Sequence, residues 1–279
     1  MTGKSRSAGV GRSGTEDKIS RRSRAQVLYA DSEKDGNMLY ATRVFVPDPF
    51  LFFRWRGKKH IAVGDLELAR LRREADVDRV FSYRDFAGQG RRQVRGFKSI
   101  AEVCSEIFGQ LRIRAIEVPH SFPAGLADEL RARGLRVKPK PDPFFPEREV
   151  KDGKEVARIV HAIRAAEHGM EAAAGALRQA RVNKREPSLL FLGVERLTSE
   201  RLRTIIHQAI LEKGCHARNT IVSCAKQSCD PHQRGEGVLS AHEPIIVDIF
   251  PRCEVSGYYG DLTRTFVKGE ASSRIRGMY

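Results

Sequence analysis

Apolar residues in the first half of the chain fall in short blocks separated by polar stretches. MLYATRVFV (38–46), FLFFRWR (50–56) and HIAVG (60–64) have the apolar content and length of strands. DLELARLRREA (65–75) has helical spacing, with Asp65 placed to cap it. VDRVFSYRDF follows, then a helical SIAEVCSEIFGQL (99–111), a buried strand AIEVP (115–119), a helix from about Pro123 to Arg133, and a strand LRVKP. Alternation of this kind predicts an α/β domain around a mixed or parallel sheet.

Proline and charge concentrate in PKPDPFFPEREVKDGKE (139–155), the composition of a boundary, and the texture then changes. KEVARIVHAIRAAEHGMEAAAGALRQARV (154–182) is one long Ala-rich helix, with Val156, Ile159, Val160, Ile163, Ala166, Met170, Ala174 and Leu177 mainly on one face. LTSERLRTIIHQAILEKG adds a second helix that starts near Thr198 and ends at Gly214. NTIVSCA (219–225), PIIVDIF (244–250) and YYGDLTRTFV (258–267) read as strands. The fold class is α/β (α+β), with a tail over 1–26, one domain over 27–150 and another over 151–279.

Composition adds limits. At 279 residues the chain can bury a sizeable core. Its longest apolar runs are too short to span a bilayer, so no membrane partner is expected. The net charge of +15 permits anionic partners. Much of the excess, however, lies in residues 1–24, RGKKH (56–60) and RRQVRGFK (91–98), while other Arg residues stand beside Glu. A generically basic surface is therefore the simpler reading, and nucleic acid is not the expected partner. The Ser/Gly/Arg-rich leader lacks the apolar core of a secretory signal and reads as disordered. It fits an organellar transit peptide, a dispensable tail or an over-extended gene start. Five cysteines without a CxxC pair read as reduced thiols in a cytoplasmic protein.

The candidate chemistry lies in VDIFPRCEVSGYYGDLTRTF, Val247 to Phe266. A hairpin with a symmetric four-residue tip at 253–256 places 252 opposite 257, 250 opposite 259, and Asp248 opposite Asp261. Their Cβ atoms would then be about 4.5–5.5 Å apart on one face. Like charges so placed repel, and a shared proton, an Arg or a divalent cation would relieve them. A hard or borderline metal suits two carboxylates. A bulge that brings Asp248 to Arg264 as an ordinary ion pair is the competing arrangement.

VDIFPRCEVSGYYGDLTRTFVKG resembles the segment carrying the first two metal ligands of the pita-bread metallopeptidases, the family of aminopeptidase P, prolidase, creatinase and methionine aminopeptidase. GDLTRTF (260–266) is similar to the aminopeptidase P/prolidase branch. IVHAIRAAEHGMEAA resembles the first helix of the catalytic domain, and NTIVSCAKQSCDPHQRGEG (219–237) the segment with an active-site histidine, here His232. The first half resembles the creatinase-type N-terminal domain.

The resemblance implies a creatinase-type α/β domain followed by an incomplete pita-bread catalytic domain. It implies two divalent ions, Mn, Co or Zn, with Asp248 on one and Asp261 bridging both. His232 would contact the substrate or the tetrahedral intermediate. The implied reaction is hydrolysis of a peptide bond before proline, in a peptide with proline at the second position. His242 reads as a turn residue, and His161, His168 and His207 as surface or packing residues on helices.

Three departures from the family stand out. CAKQSC replaces a Gly-rich loop before His232, and the spacing of the aspartates is slightly long, as for a lengthened hairpin tip that keeps the facing register. The family's later His and two Glu do not follow before Tyr279, where ASSRIRGMY resembles a helix start. A truncated chain, inactive by itself and without a firmly held metal pair, is therefore expected. The alternative is a non-enzymatic module of the same fold that binds protein or RNA. The oligomeric state stays open, a homo-oligomer included.

Overall fold

The computed structural model describes residues 24–86, 99–183, 185–186 and 188–278. The leader over 1–23 and the basic RRQVRGFK stretch lie outside the described residues. The chain divides into two compact units at the Glu149–Val150 bond.

The first unit runs β1 (Ala25–Ala30), α1 (Gly36–Thr42), β2 (Phe50–Trp55), β3 (Lys58–Val63), α2 (Asp65–Glu74), β4 (Arg79–Ser82), α3 (Ile100–Gln110), β5 (Ala115–Pro119), α4 (Ala124–Ala132) and β6 (Arg136–Lys140). Its six strands lie in the order β4-β3-β2-β1-β5-β6. The β1–β2 and β2–β3 pairs are antiparallel and the other three parallel, so the sheet is mixed.

The FLFF run is continuous because β2 is covered on both faces. Leu51 and Phe53 join Phe108, Ile107 and Leu126, while Phe50 and Phe52 join Met38, Leu71, Phe144 and Phe145. β1 begins at Ala25, two residues inside the segment expected as tail.

Two local expectations fail here. MLYATRVFV is not a strand: its first residues form α1. Asp35 caps that helix by accepting the Met38 N–H at 2.7 Å, and Arg43 at φ 60° ends it. Met38, Ala41 and Thr42 then face inward at helical spacing. A short apolar run carries either period, and the cap decided between them. Asp65 is not the cap of α2, because Gly64 occupies that position. The Asp65 carboxylate instead accepts the Ser82 hydroxyl and pairs with Arg84, both at 2.8 Å.

The second unit contains α5 (Gly153–Gln179), β7 (Arg181–Val182), β8 (Leu190–Leu192), β9 (Glu195–Arg196), α6 (Ser199–Leu211), β10 (Cys215–His216), β11 (Ile221–Cys224), β12 (Pro244–Ile249), β13 (Arg252–Cys253), β14 (Leu262–Val267) and α7 (Ser273–Met278). β11, β12 and β14 form an antiparallel sheet; β10 pairs with β13, and β7, β8 and β9 form a third group.

A capping box between Asp152 and Glu155 opens α5, and Thr198 caps α6 through the Arg201 N–H. The buried face of α5 is only partly the one expected: Ala166, Met170 and Leu177 of that face are buried, but its N-terminal valines are not. Val156 and Val160 are exposed at 48% and 39%, whereas Ala162, Ala165, Ala166, Gly169, Ala173 and Ala176 are buried. Small residues let neighbouring elements approach closely: a Cβ on Gly169 would stand 2.8 Å from the Ile210 side chain of α6.

Candidate functional site

In the three-stranded sheet, alternation sends Ile245, Val247 and Ile249 into the core beside Ala162, Ile206 and Val222. Asp248 lies on the opposite face, half-buried, with Ile221 across from it on β11 and Thr263 on β14. The Thr263 hydroxyl donates to the Asp248 carboxylate. Arg264 pairs in register with Val247, so the alternative ion pair with Asp248 does not form.

The expected register is therefore two residues out. Asp248 faces Thr263 rather than Asp261, and Asp261 is exposed just before β14 begins. The cause is the tip. Gly257, at φ +72°, closes the turn by donating its N–H to the Cys253 carbonyl, and Cys253 takes the Tyr258 carbonyl on its own N–H, both at 2.9 Å. The loop is thus 254–257, one residue further along than a tip at 253–256. A shift of two keeps the pleat, so both acids remain on one face as diagonal neighbours, for which about 7–8 Å is typical.

GDLTRTF has a packing reason as well as a chemical one. A Cβ on Gly260 would lie 2.4 Å from the Ala162 carbonyl of α5, so only glycine lets the strand enter there. Just upstream, the Tyr258 hydroxyl donates to buried Glu155 at 2.6 Å and ties the hairpin to the first turn of α5.

His232 is exposed in the loop after a 3-10 turn at Ala225–Cys229, and its N–H donates to Asp230 Oδ1 at 3.0 Å. None of the hydrogen bonds or ion pairs among the described residues joins His232 to either aspartate. The loop is nevertheless held firmly. The Gln227 amide donates to the Glu236 carbonyl at 3.1 Å and accepts its N–H at 3.0 Å. Arg203 of α6 donates to the Arg234 and Gly235 carbonyls at 2.6 and 2.8 Å, and Glu200 accepts the Gly237 N–H at 3.1 Å. Partial burial pushes the Glu200 carboxyl up, but hydrogen bonds from its own backbone, Thr198 and Gly237, with Arg203 nearby, bring it below its ordinary value.

Gly235, at φ +77°, presses on β11; a Cβ there would sit 1.8 Å from the Val222 carbonyl. Sequence reasoning missed Arg203 and Glu200 because their partners are remote in sequence, and Gln227 because only the folded loop brings it to Glu236. Gln227 belongs to the CAKQSC stretch that departs from a Gly-rich loop. His242, at φ +63°, is a turn residue whose Nδ1 accepts the Glu270 N–H at 3.0 Å.

Two carboxylates on one sheet face suit a hard or borderline divalent ion. Among the described residues, however, no group of three or more His, Cys, Asp or Glu donors includes Asp248 or Asp261. By themselves they do not fit a dinuclear pair.

The mixed six-stranded unit followed by an Ala-rich helix and an antiparallel hairpin is the fold of the prolidases and aminopeptidases P. The chain is similar to the prolidase from Pyrococcus horikoshii OT3, with TM-score 0.69 and 16% identity over 95% of this chain and 66% of that one. The X-Pro aminopeptidase from Thermotoga maritima MSB8 gives TM-score 0.71 and 16% identity over 91% and 65%. A dipeptidase from Mycobacterium ulcerans gives 0.61 and 22% over 96% and 69%. The chain thus spans about two thirds of the length of these structures. Residues 157–279 match the profile of Metallopeptidase family M24. A search of curated proteins found no match. No helix among the described residues is long and apolar enough to cross a membrane.

Proposed function

We propose that this chain carries part of the catalytic domain of an Xaa-Pro metallopeptidase, acting on peptides with proline at the second position in the cytoplasm. The observation that carries the reading is GDLTRTF, which enters β14 opposite the strand of Asp248, with Asp261 just before that strand, inside the stretch that matches the M24 profile. In this reading Asp248 and Asp261 are metal-binding carboxylates for manganese, cobalt or zinc, completed by a His and two Glu. His232 donates a hydrogen bond to the oxygen on which charge develops as the peptide carbonyl is attacked. The Gln227, Arg203 and Glu200 contacts hold its loop in place.

Because two carboxylates do not hold two ions, the chain alone should not cleave an Xaa-Pro peptide in Mn2+, Co2+ or Zn2+. Hydrolysis that Asp261→Ala abolishes would overturn that statement. Fusion to the last third of an aminopeptidase P, which supplies the remaining ligands, should yield Xaa-Pro hydrolysis that Asp248→Asn or Asp261→Asn removes. A folded, metal-loaded fusion that cleaves nothing would sink the peptidase reading.

A second reading, a binding module for RNA, draws on an open groove of the first unit lined by Arg24, Arg54, Arg56, Lys138 and Lys140. It requires RNA binding that weakens steeply with salt and persists without metal.

A further inference from the structure

A cluster of soft ligands lies apart from the aspartates. One ring nitrogen of His161 and the Sγ atoms of Cys215 and Cys253 all lie within 4.8 Å of one another. Three elements bring them together. Gly214, at φ +65°, turns the chain from the end of α6 into β10, and β10 pairs with β13 so that Cys215 faces Cys253. The Glu254 N–H donates to the Gly214 carbonyl at 3.0 Å, which makes Cys215–Cys253 a non-hydrogen-bonded pair, the kind whose side chains stand closest. α5 passes alongside and contributes His161. Both thiols are buried and His161 is exposed, so the cluster opens to solvent on the histidine side.

We propose that His161, Cys215 and Cys253 form a mononuclear site for a borderline-soft divalent ion of the zinc class, with water as the fourth ligand. Two thiolates and an imidazole are the donor set such an ion selects, and tetrahedral zinc accepts three protein ligands plus water. Burial pushes the Cys253 thiol up, but hydrogen bonds from Ser256, the Val255 backbone and Cys215 bring it below its ordinary value. Burial and the neighbouring Cys253 push Cys215 up to about 11. Loading therefore displaces a proton from Cys215, which makes affinity rise with pH. The bound ion ties α5 to β10 and β13. This site does not depend on the peptidase reading.

The test uses the reduced full chain titrated with Co2+ as a spectroscopic probe. One equivalent should give thiolate-to-cobalt charge transfer and the intense visible bands of a tetrahedral ion, and Zn2+ should erase both. The Cys215→Ser/Cys253→Ser double variant should lose the charge-transfer band, while Asp248→Asn/Asp261→Asn retains it. His161→Ala, at an exposed helix position, should keep the fold and weaken cobalt binding by at least about tenfold. The proposal fails if cobalt gives no thiolate band while both thiols react as free, or if the band survives the double Cys variant. A Cys215–Cys253 disulfide that resists reduction and blocks cobalt also overturns it.

Discussion

In the first unit the fully buried side chains include large aromatic ones: Phe52, Phe53, Phe108, Phe144 and Phe145. In the second they include Ala162, Ala165, Ala166 and Ala173, with Gly169, Gly235 and Gly260 pressed against neighbouring backbone or side chains. Aromatic rings fill the space between a sheet and its helices; Phe53 meets Phe108 edge-on at 5.7 Å and Phe81 in a stack at 6.4 Å. Small residues instead remove that space and bring backbones together. The difference teaches where each unit is vulnerable: the first to loss of volume, the second to gain of it.

Gly235→Ala offers the sharpest break, since its Cβ would overlap the Val222 carbonyl at a positive φ. It should destabilise the second unit by about 4 kcal/mol or more, read as a lower denaturant midpoint by circular dichroism. Fluorescence of Trp55, the single tryptophan, should report an unchanged first unit. A near-neutral result would end the claim that close approach governs the second unit.

Phe53→Ala tests the opposite vulnerability and should cost about 3–5 kcal/mol, now with a shift in the Trp55 transition. Gly169→Ala, whose Cβ meets the flexible Ile210 side chain rather than backbone, should cost less, about 1–3 kcal/mol. Asp152→Ala removes one arm of the capping box of α5 and should cost about 0.5–2 kcal/mol.

The smallest effect is one of pH and compares the units through a histidine in each. Burial lowers His60, stacked on Phe53 at 4.9 Å with a buried Nδ1 that has no partner among the described residues. Burial, together with Arg203 and Arg234, lowers His207, which contacts the Thr220 hydroxyl at 3.0 Å. With folded values below the unfolded one, the unfolded chain binds more protons as pH falls through about 6.5. Stability is therefore full above that pH and declines below it, until the folded-state values are passed. Denaturant midpoints should fall between about pH 7.5 and about pH 5.5. His60→Phe should flatten the fall seen by Trp55, and His207→Gln the fall seen by circular dichroism alone.

Much of this fold was legible in the sequence. The helices at α3, α4, α5 and α6 and the strands β2, β5, β11, β12 and β14 follow from period and cap residues. α1 was misread because its apolar run is too short to show a period, and one Asp35 hydrogen bond decides it. On α5 the sequence placed Ala166, Met170 and Leu177 inward correctly but also Val156 and Val160, because hydrophobicity ranks Val above Ala, whereas the packing selects for size. At the candidate site the two strands of the hairpin were readable, but the register was not. That depends on which residue of the tip takes a positive φ, and Gly257 does.

By itself the sequence determined the two-part α/β organisation, the resemblance carried by GDLTRTF, and the alternation that turns Asp248 away from the core. Those properties reside in local period and in short runs of residues. Only the tertiary structure decided that Asp248 meets Thr263, that Gln227 and Arg203 hold the His232 loop, and that His161 meets two thiols. In each case proximity is set by how the loop or whole elements pack, which leaves no spacing to read.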